Sequence, residues 1–239
     1  NWKLDLLDRG RYNLDTTVFL QRFHIYQFSI SYFYGTSYLW FCRLEKIPQQ
    51  QSGSCLKIVL FGPESSGKTT LAKKLSEYYQ GTWVPEFARE YLQQKWDSEQ
   101  KICEPQDILP IAIGQMKLEN AAVHSEKKIV FCDTDLLETK VYSEAYYDGW
   151  CDDEVAKAAL ENTYDLYLLT YIDTPWQADD LRDRPDQREE MFAYFKQALI
   201  KHGRPYLFVK GSLEERMQLI TNHLNSLLNW ILPTKKSTK

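Results

Sequence analysis

Residues 62–69 have the sequence GPESSGKT, in which a lysine and a threonine directly follow the second of two glycines. Glycines let the backbone turn so that several N–H groups point at one anion, and the positive end of a following helix adds to that attraction. In such a segment Lys68 reaches the terminal phosphates of a nucleotide, and the Thr69 hydroxyl holds Mg²⁺. The pattern predicts a loop that binds a nucleoside triphosphate. The expected contacts are Gly62, Glu64, Ser65, Ser66, Gly67, Lys68, Thr69 and Thr70.

Other motifs of nucleotide-binding proteins do not occur in the sequence. There is no N-K-x-D string for reading guanine and no L-S-G-G-Q string of the transporter ATPases. A chain of 239 residues also lacks room for the second motor domain of a helicase. These observations argue against a GTPase, a transporter ATPase and a helicase, but the loop alone does not say what happens to the phosphate.

Acidic residues follow two of the predicted strands, at the edge of the sheet where nucleotides bind. Glu86 and Arg89 lie three residues apart at the start of a predicted helix, and therefore on one face of it. Asp133 ends the next strand, and Asp135 lies just beyond it. An acid at such a strand end typically contacts Mg²⁺, directly or through water. The alternatives are helix capping for the two aspartates and a surface ion pair for Glu86 and Arg89.

Three arginines, Arg182, Arg184 and Arg188, cluster in the segment DTPWQADDLRDRPDQRE, which is rich in Asp and Pro. Interleaved charges are common on solvated surfaces. Here they follow the fourth predicted strand, where small kinases carry a mobile lid whose arginines neutralise the transferred phosphoryl group. We therefore favour a lid that also keeps water from the reacting phosphate.

Aromatic side chains are dense in the segment KVYSEAYYDGW at 140–150. Tyr142, Tyr146, Tyr147 and Trp150 lie there beside Asp148. Aromatic residues at helical spacing often belong to a core. The functional alternative is stacking on a flat ring of the acceptor, from which a cationic ring would gain most.

Alternating strands and helices must position these residues. The predicted strands are 56–61, 82–85, 127–133, 164–172 and 204–210, with helical patterns between them. The last helix is the clearest, because Leu213, Met217, Ile220, Leu224, Leu227 and Ile231 repeat at steps of three and four, and Ser212 with Glu215 forms a capping box. The sequence predicts an α/β fold with an approximately five-stranded parallel sheet, helices on both faces and a lid.

Composition divides the chain into three parts. Residues 1–50 form an aromatic-rich N-terminal extension of unclear role, residues 55–232 the kinase-sized domain, and residues 233–239 a disordered tail. The stretch at 23–42 is almost uncharged and has the length of a membrane span, but its Ser, Gln, His and Tyr content favours a hairpin or disorder.

Charge and cysteine content bear on partners and compartment. A net charge of −4 shows no basic excess for nucleic acid. Five scattered cysteines without a C-x-x-C pair predict reduced thiols in the cytoplasm.

Five segments together resemble the NadR-type nicotinamide riboside kinases, a family of P-loop kinases. They are FGPESSGKTT, WVPEFAREY, FCDTDLLETKVYSEAY, YLLTYIDTPWQADDLRDRP and HGRPYLFVKGSLEERM, and the match runs from about residue 56 to 228. The resemblance implies transfer of the γ-phosphate of ATP to the 5′-hydroxyl of nicotinamide riboside. Relatives are often fused to an adenylyltransferase, but no H-x-G-H motif of that domain occurs in this sequence.

The expected mechanism follows from these assignments. Lys68 and the loop amides hold the β- and γ-phosphates, while Thr69 and Asp133 position Mg²⁺. Glu86 or Asp133 accepts the hydroxyl proton, and the three arginines close over the transfer. The expected acceptor contacts are Glu86, Arg89, Asp135, Tyr142, Tyr146 and Trp150. A kinase of another nucleoside and an ATP sensor without turnover remain alternatives, and the oligomeric state stays open.

Overall fold

The computed structural model describes residues 45–181 and 185–231, with side chains up to residue 228. The predictions for residues 1–44, for Arg182 and Arg184, and for the tail therefore lie outside the described residues. Within the described ranges, no helix combines the length and the apolar character that crossing a membrane requires.

Five β-strands alternate with seven α-helices in the described part of the chain. In chain order they are β1 Leu56–Phe61, α1 Lys68–Tyr79, β2 Thr82–Val84, α2 Phe87–Glu99, α3 Ile108–Val123, β3 Ile129–Asp133, α4 Leu136–Tyr146, α5 Asp153–Glu161, β4 Leu166–Thr170, α6 Arg188–Lys201, β5 Tyr206–Val209 and α7 Leu213–Ile231. Short 3-10 turns occupy Pro105–Asp107 and Pro185–Gln187. All five predicted strands are confirmed. β1 has the predicted bounds, and each of the other four is shorter than predicted by one or two residues at one or both ends.

The strands form one sheet in the order β2-β3-β1-β4-β5, and all neighbours pair in parallel. Parallel neighbours require crossover connections, which the intervening helices supply. Because β1 is central, the loop that follows it lies between the carboxyl ends of β3 and β4. Ligands of open parallel sheets bind at this position.

The core has two layers because successive side chains of a strand point to opposite faces. Ile58 and Leu60 of β1 pack against α1 and α7, whereas Val59 and Phe61 pack against α4 and α6. All four side chains are almost completely buried. The predicted helices on both faces are therefore confirmed, as is the capping box in which the Ser212 amide donates to the Glu215 carboxylate at 2.7 Å.

The polar segment that precedes β1 contacts the domain. The side chain of Asn120 on α3 donates to the Gln49 carbonyl and accepts from the Gln51 amide, both at 2.8 Å. The Thr163 amide donates to the side chain of Gln50 at 2.8 Å, and Ile47 packs beside α3 and α5. The sequence PQQQSGS at 48–54 is polar and contains Gly and Ser, which is typical of a linker. The contacts show instead that residues 47–51 lie against the domain as a strap.

Replacing Asn120 by alanine is expected to lower the free energy of unfolding by about 1–3 kcal/mol, because two backbone groups of the strap lose their partner. Urea unfolding of the variant measures the loss. Asn222→Ala on an exposed face of α7 is the control, since it makes the same change in a helix and should stay within about 0.5 kcal/mol of wild type. Equal effects of the two substitutions would contradict the assigned role of Asn120.

Candidate active site

The phosphate loop at 62–67 is held in a strained turn at the end of β1. Gly62 has a φ of 145°, and a Cβ there would lie 2.6 Å from the Thr170 hydroxyl, so only glycine fits. Gly67 has a φ of 85° directly before α1. The Ser66 hydroxyl donates to the Pro63 carbonyl at 2.7 Å and lies 2.7 Å from the Thr170 hydroxyl, which braces the loop on β4.

Lys68 lies buried under the loop. Its Nζ donates to the Gly62 carbonyl at 2.5 Å and lies 3.1 Å from the carboxylate of Glu138, which is itself only 2% exposed. Burial opposes the lysine charge, but the carboxylates of Glu138, Glu86 and Asp133 outweigh burial and raise the pKa of Lys68. Lys68 therefore stays protonated at the place where the terminal phosphates are expected.

Asp133 and Thr69 meet at the end of β3, as predicted. Thr69 lies close enough to the Asp133 carboxylate to lower its pKa, and the Oδ1 atom of Asp133 is buried without a hydrogen-bond partner among the described residues. Burial outweighs this effect and raises the pKa of Asp133. A carboxylate and a hydroxyl are oxygen ligands of the kind Mg²⁺ prefers, and a cation would compensate the buried charge. These residues therefore fit a magnesium ion.

Glu86 and Arg89 both face the cavity at the end of β2, as their spacing predicts. Glu86 occupies the position before the first residue of α2, where its side chain makes no capping hydrogen bond. The Arg89 guanidinium is 2.6 Å from the Asp179 carboxylate, so it joins α2 to the segment that follows β4. This segment is where the lid is predicted.

Arg188 ties the same segment to the phosphate loop. Its guanidinium donates to the carbonyls of Thr174 at 3.0 Å and Ser65 at 3.2 Å, and it lies over the ring of Trp176. The Thr174 hydroxyl also donates to the Ser65 carbonyl. In this arrangement Arg188 braces the loop from behind the cavity, and the role predicted for it in neutralising the transferred phosphoryl group stays a prediction.

A tyrosine wall, made by Tyr142, Tyr146 and Tyr147, lines the opposite side of the cavity. The ring of Tyr142 packs edge-on against Phe195, while its hydroxyl is buried and has no hydrogen-bond partner among the described residues. Trp150, expected at the same place, is 44% exposed and packs against Tyr147 outside the cavity. The structure therefore brings three of the four predicted aromatic residues together.

Asp135 was expected at the substrate, but the structure does not place it on the cavity. Its side chain is fully buried, where it accepts from the Glu138 amide at 2.9 Å and from the Tyr167 hydroxyl at 2.7 Å. The first bond caps α4, which is the alternative that the sequence leaves open. The capping role orients the helix that carries Glu138 and the tyrosine wall.

One cavity of about 1020 Å³ connects the phosphate loop with the tyrosine wall. Glu86 lies on its wall together with Lys68 and Asp133. Ile108 and Ile111 of α3 also line this cavity. The lining therefore combines the phosphate loop and charged side chains with aromatic and apolar ones.

Three buried polar residues around this cavity escape sequence reasoning, namely Glu138, Gln115 and Arg216. Arg216 is 2% exposed and donates to the carbonyls of Ser66 at 2.6 Å and Tyr171 at 3.1 Å. The position of Arg216 in the sequence could have indicated its role. A cation in the first turn of a helix is opposed by the helix dipole and therefore needs a specific partner. Gln115 likewise interrupts the apolar helix α3.

Glu119, one turn after Gln115, is a buried carboxyl that stays protonated at neutral pH. Burial raises its pKa to about 8, although a hydrogen bond from the Tyr164 hydroxyl at 2.6 Å opposes the shift. Between the ordinary pKa of 4.5 and about 8, the folded protein keeps a proton that the unfolded chain releases. The free energy of unfolding must therefore fall as the pH rises through this window.

Glu119→Gln is expected to remove this contribution, which amounts to as much as about 1.4 kcal/mol per pH unit. Urea unfolding across the window should show the variant gaining stability relative to wild type as the pH rises. Glu126→Gln at an exposed position provides the control. Parallel pH profiles for wild type and Glu119→Gln would contradict the protonated state.

Comparisons with known proteins agree with this geometry. A family model described as an AAA domain (AAA_28) matches residues 57–216. The trifunctional NAD biosynthesis/regulator protein NadR of Salmonella typhimurium is 32% identical over 125 residues, which are 52% of this chain and 30% of that protein. NadR of Escherichia coli (strain K12) matches with the same identity and coverage. The chain thus matches less than a third of the length of these relatives.

Solved structures show the same fold. The crystal structure of NadR protein in complex with NR has a TM-score of 0.58 at 20% identity, covering 72% of this chain and 51% of that chain. A deoxyadenosine kinase from M. mycoides, solved with products, has a TM-score of 0.53 at 18% identity, covering 72% and 100%. These likenesses confirm the P-loop kinase fold and, with the identity to NadR, the resemblance to NadR-type proteins. The family model covers more than half of the sequence, and the chain therefore belongs to the AAA_28 family within the P-loop NTPase superfamily.

Proposed function

We propose that this domain transfers the γ-phosphoryl group of ATP to the 5′-hydroxyl of nicotinamide riboside, which gives nicotinamide mononucleotide. The observation that carries the proposal is that the phosphate loop and the tyrosine wall line one and the same cavity. The similarity to NadR, and a NadR structure in complex with NR, support this acceptor.

The chain's own residues account for the steps of transfer. Lys68 and the loop amides hold the β- and γ-phosphates, and Mg²⁺ held by Thr69 and Asp133 neutralises phosphate charge when bound. The 5′-oxygen forms a bond to the γ-phosphorus as the bond to the β–γ bridging oxygen breaks, and ADP leaves. Glu86, which lines the cavity, takes the hydroxyl proton, because Asp133 is assigned with Thr69 to the metal.

The tyrosine wall suits a cationic ring with polar substituents. The ring of nicotinamide riboside is a pyridinium, and a cation over an aromatic face gains about 0.5–2 kcal/mol. Tyr142, Tyr146 and Tyr147 supply the faces. The buried Tyr142 hydroxyl, which has no partner among the described residues, offers a hydrogen bond to the acceptor.

The test is product formation from Mg·ATP with a panel of nicotinamide riboside, nicotinic acid riboside, adenosine, deoxyadenosine, cytidine and uridine, followed by mass spectrometry. We expect the mononucleotide of nicotinamide riboside with the highest kcat/KM. A neutral nucleoside as the preferred acceptor would replace the proposal by another nucleoside kinase. ATP binding without any phosphorylated product would favour the sensor.

A variant of the tyrosine wall tests the acceptor contact directly. Tyr146→Leu should raise the KM for nicotinamide riboside by about two- to thirtyfold and leave the KM for ATP unchanged. A neutral nucleoside should lose less, because the removed attraction depends on the ring charge. Tyr194→Leu, exposed on α6, is the control. A lowered melting temperature with both KM values unchanged would instead assign Tyr146 to the core.

A further inference from the structure

Helix α2 carries Arg89 and begins directly after Glu86, yet none of its residues is fully buried. A helix is usually fixed by an apolar stripe packed into the core. From Tyr91 onward, polar contacts hold α2 instead, since the Tyr91 hydroxyl donates to Asp107 at 3.0 Å and Lys95 Nζ lies 2.6 Å from the same carboxylate. The Arg89–Asp179 ion pair joins the first turn to the segment after β4, but the backbone of that turn, beside the reacting groups, needs a separate attachment to the core.

Gln115 provides that attachment from the core helix α3. Its side-chain oxygen accepts a hydrogen bond from the Phe87 amide at 3.0 Å, and Gln115 is completely buried on the cavity side of α3. The first N–H groups of a helix have no partner within the helix, and here a residue of another helix satisfies one of them. The Phe87 N–H belongs to the peptide plane that joins Glu86 to Phe87, so this bond fixes the orientation of the Glu86 backbone.

The Gln115 side chain is itself held in place by buried neighbours. The Gln115 amide nitrogen lies 3.4 Å from Glu119, and the Tyr164 hydroxyl donates to the other oxygen of Glu119 at 2.6 Å. Next to Gln115, a Cβ on Gly114 would lie 2.2 Å from the Phe87 ring, so glycine allows the ring to rest on α3. A buried polar chain thus runs from Tyr164, just before β4, to the amide of Phe87, the first residue of α2.

We propose that Gln115 is a positioning residue, which sets the Glu86 carboxylate at the cavity for proton removal from the acceptor. This inference rests on the proposed function for the role of Glu86. Gln115 also lines the cavity, and direct contact with the acceptor is the competing role that the experiment must separate.

The experiment combines two substitutions of Gln115 with one of Glu86. Gln115→Met keeps the length of the side chain but removes the acceptor oxygen, and Gln115→Glu keeps that oxygen. Gln115→Met should lower kcat about 10- to 100-fold with the KM for ATP unchanged, because misplacement of a reacting group is costly. Gln115→Glu should recover most of this loss. In a Glu86→Gln background, Gln115→Met should cause no further loss, because the carboxylate it positions is already absent.

Two kinetic outcomes would overturn the inference. An equal fall in kcat with and without the Glu86 carboxylate would make Gln115 a structural residue, and a raised acceptor KM in both backgrounds would make it a substrate contact. Hydrogen exchange gives a readout that needs no acceptor. Amides of residues 87–91 should lose protection in Gln115→Met while the amides of β1 and β3 keep theirs, and unchanged protection at 87–91 would also overturn the inference. If the wild type phosphorylates no acceptor, the proposed function fails while exchange still tests the attachment.

Discussion

Lys68→Met is expected to lower kcat for phosphoryl transfer by about 100- to 1000-fold, because a preorganised cation at the developing charge is lost. Methionine preserves the bulk of the buried side chain. The acceptor KM should change less than kcat, since Lys68 contacts the Gly62 carbonyl and Glu138 and not the tyrosine wall. Steady-state kinetics with both substrates varied gives the effect.

Two controls separate chemistry from folding in this experiment. Lys74→Met alters an exposed lysine on the same helix and should keep wild-type activity. The loss of Lys68 leaves Glu138 buried without its cation, so a melting temperature must accompany each assay. A Lys68→Met variant that melts like wild type and still turns over at the wild-type rate would refute the role of the loop.

Asp133→Asn is expected to lower kcat by about 100-fold or more, and to raise the Mg²⁺ concentration needed for half-maximal activity. Asparagine keeps the shape of the side chain but removes the charge that a buried cation would balance. Calorimetry of ATP binding with and without Mg²⁺ provides a second readout, in which the variant should lose the metal-dependent gain in affinity.

Asp153→Asn, at an exposed position at the start of α5, is the matched control for this substitution. It should leave both kcat and the magnesium dependence unchanged. If Asp133→Asn shows a normal magnesium dependence with a normal melting temperature, the metal role of Asp133 is wrong and the aspartate serves the structure alone.

The sheet and the phosphate end were predictable because both depend on short-range patterns. Each of these features lies within a few residues of the element that positions it. This holds for the strand that ends at Phe61, for the glycines of the loop and for the acid at the end of β3. The parallel order then follows from the alternation of strands with helices, because sequential parallel strands need crossovers. Such features need no knowledge of distant contacts.

The buried polar residues around the cavity were harder to predict, because contacts between distant parts of the chain position them. Gln115 meets Phe87 across 28 residues, and Arg216 reaches Ser66 across 150 residues. The sequence offered no spacing rule for either contact. For Asp135 and Trp150 the residue type and the position in the sequence fitted the site, but the side chain makes a contact elsewhere. Asp135 caps α4, and Trp150 packs against Tyr147 outside the cavity.

The shallow burial of α2 has a consequence for how the protein can evolve. The helix lines the cavity with residues that include Leu92 and Gln93, but none of its residues belongs to the fully buried core. Surface substitutions that break no specific contact usually change the free energy of unfolding by no more than about 0.5 kcal/mol. Replacements at the buried phosphate end, such as at Glu138, carry a much larger cost. Selection on the cavity lining can therefore act at positions of α2 such as Leu92 and Gln93 without first accumulating stabilising substitutions elsewhere, while the phosphate loop stays unchanged.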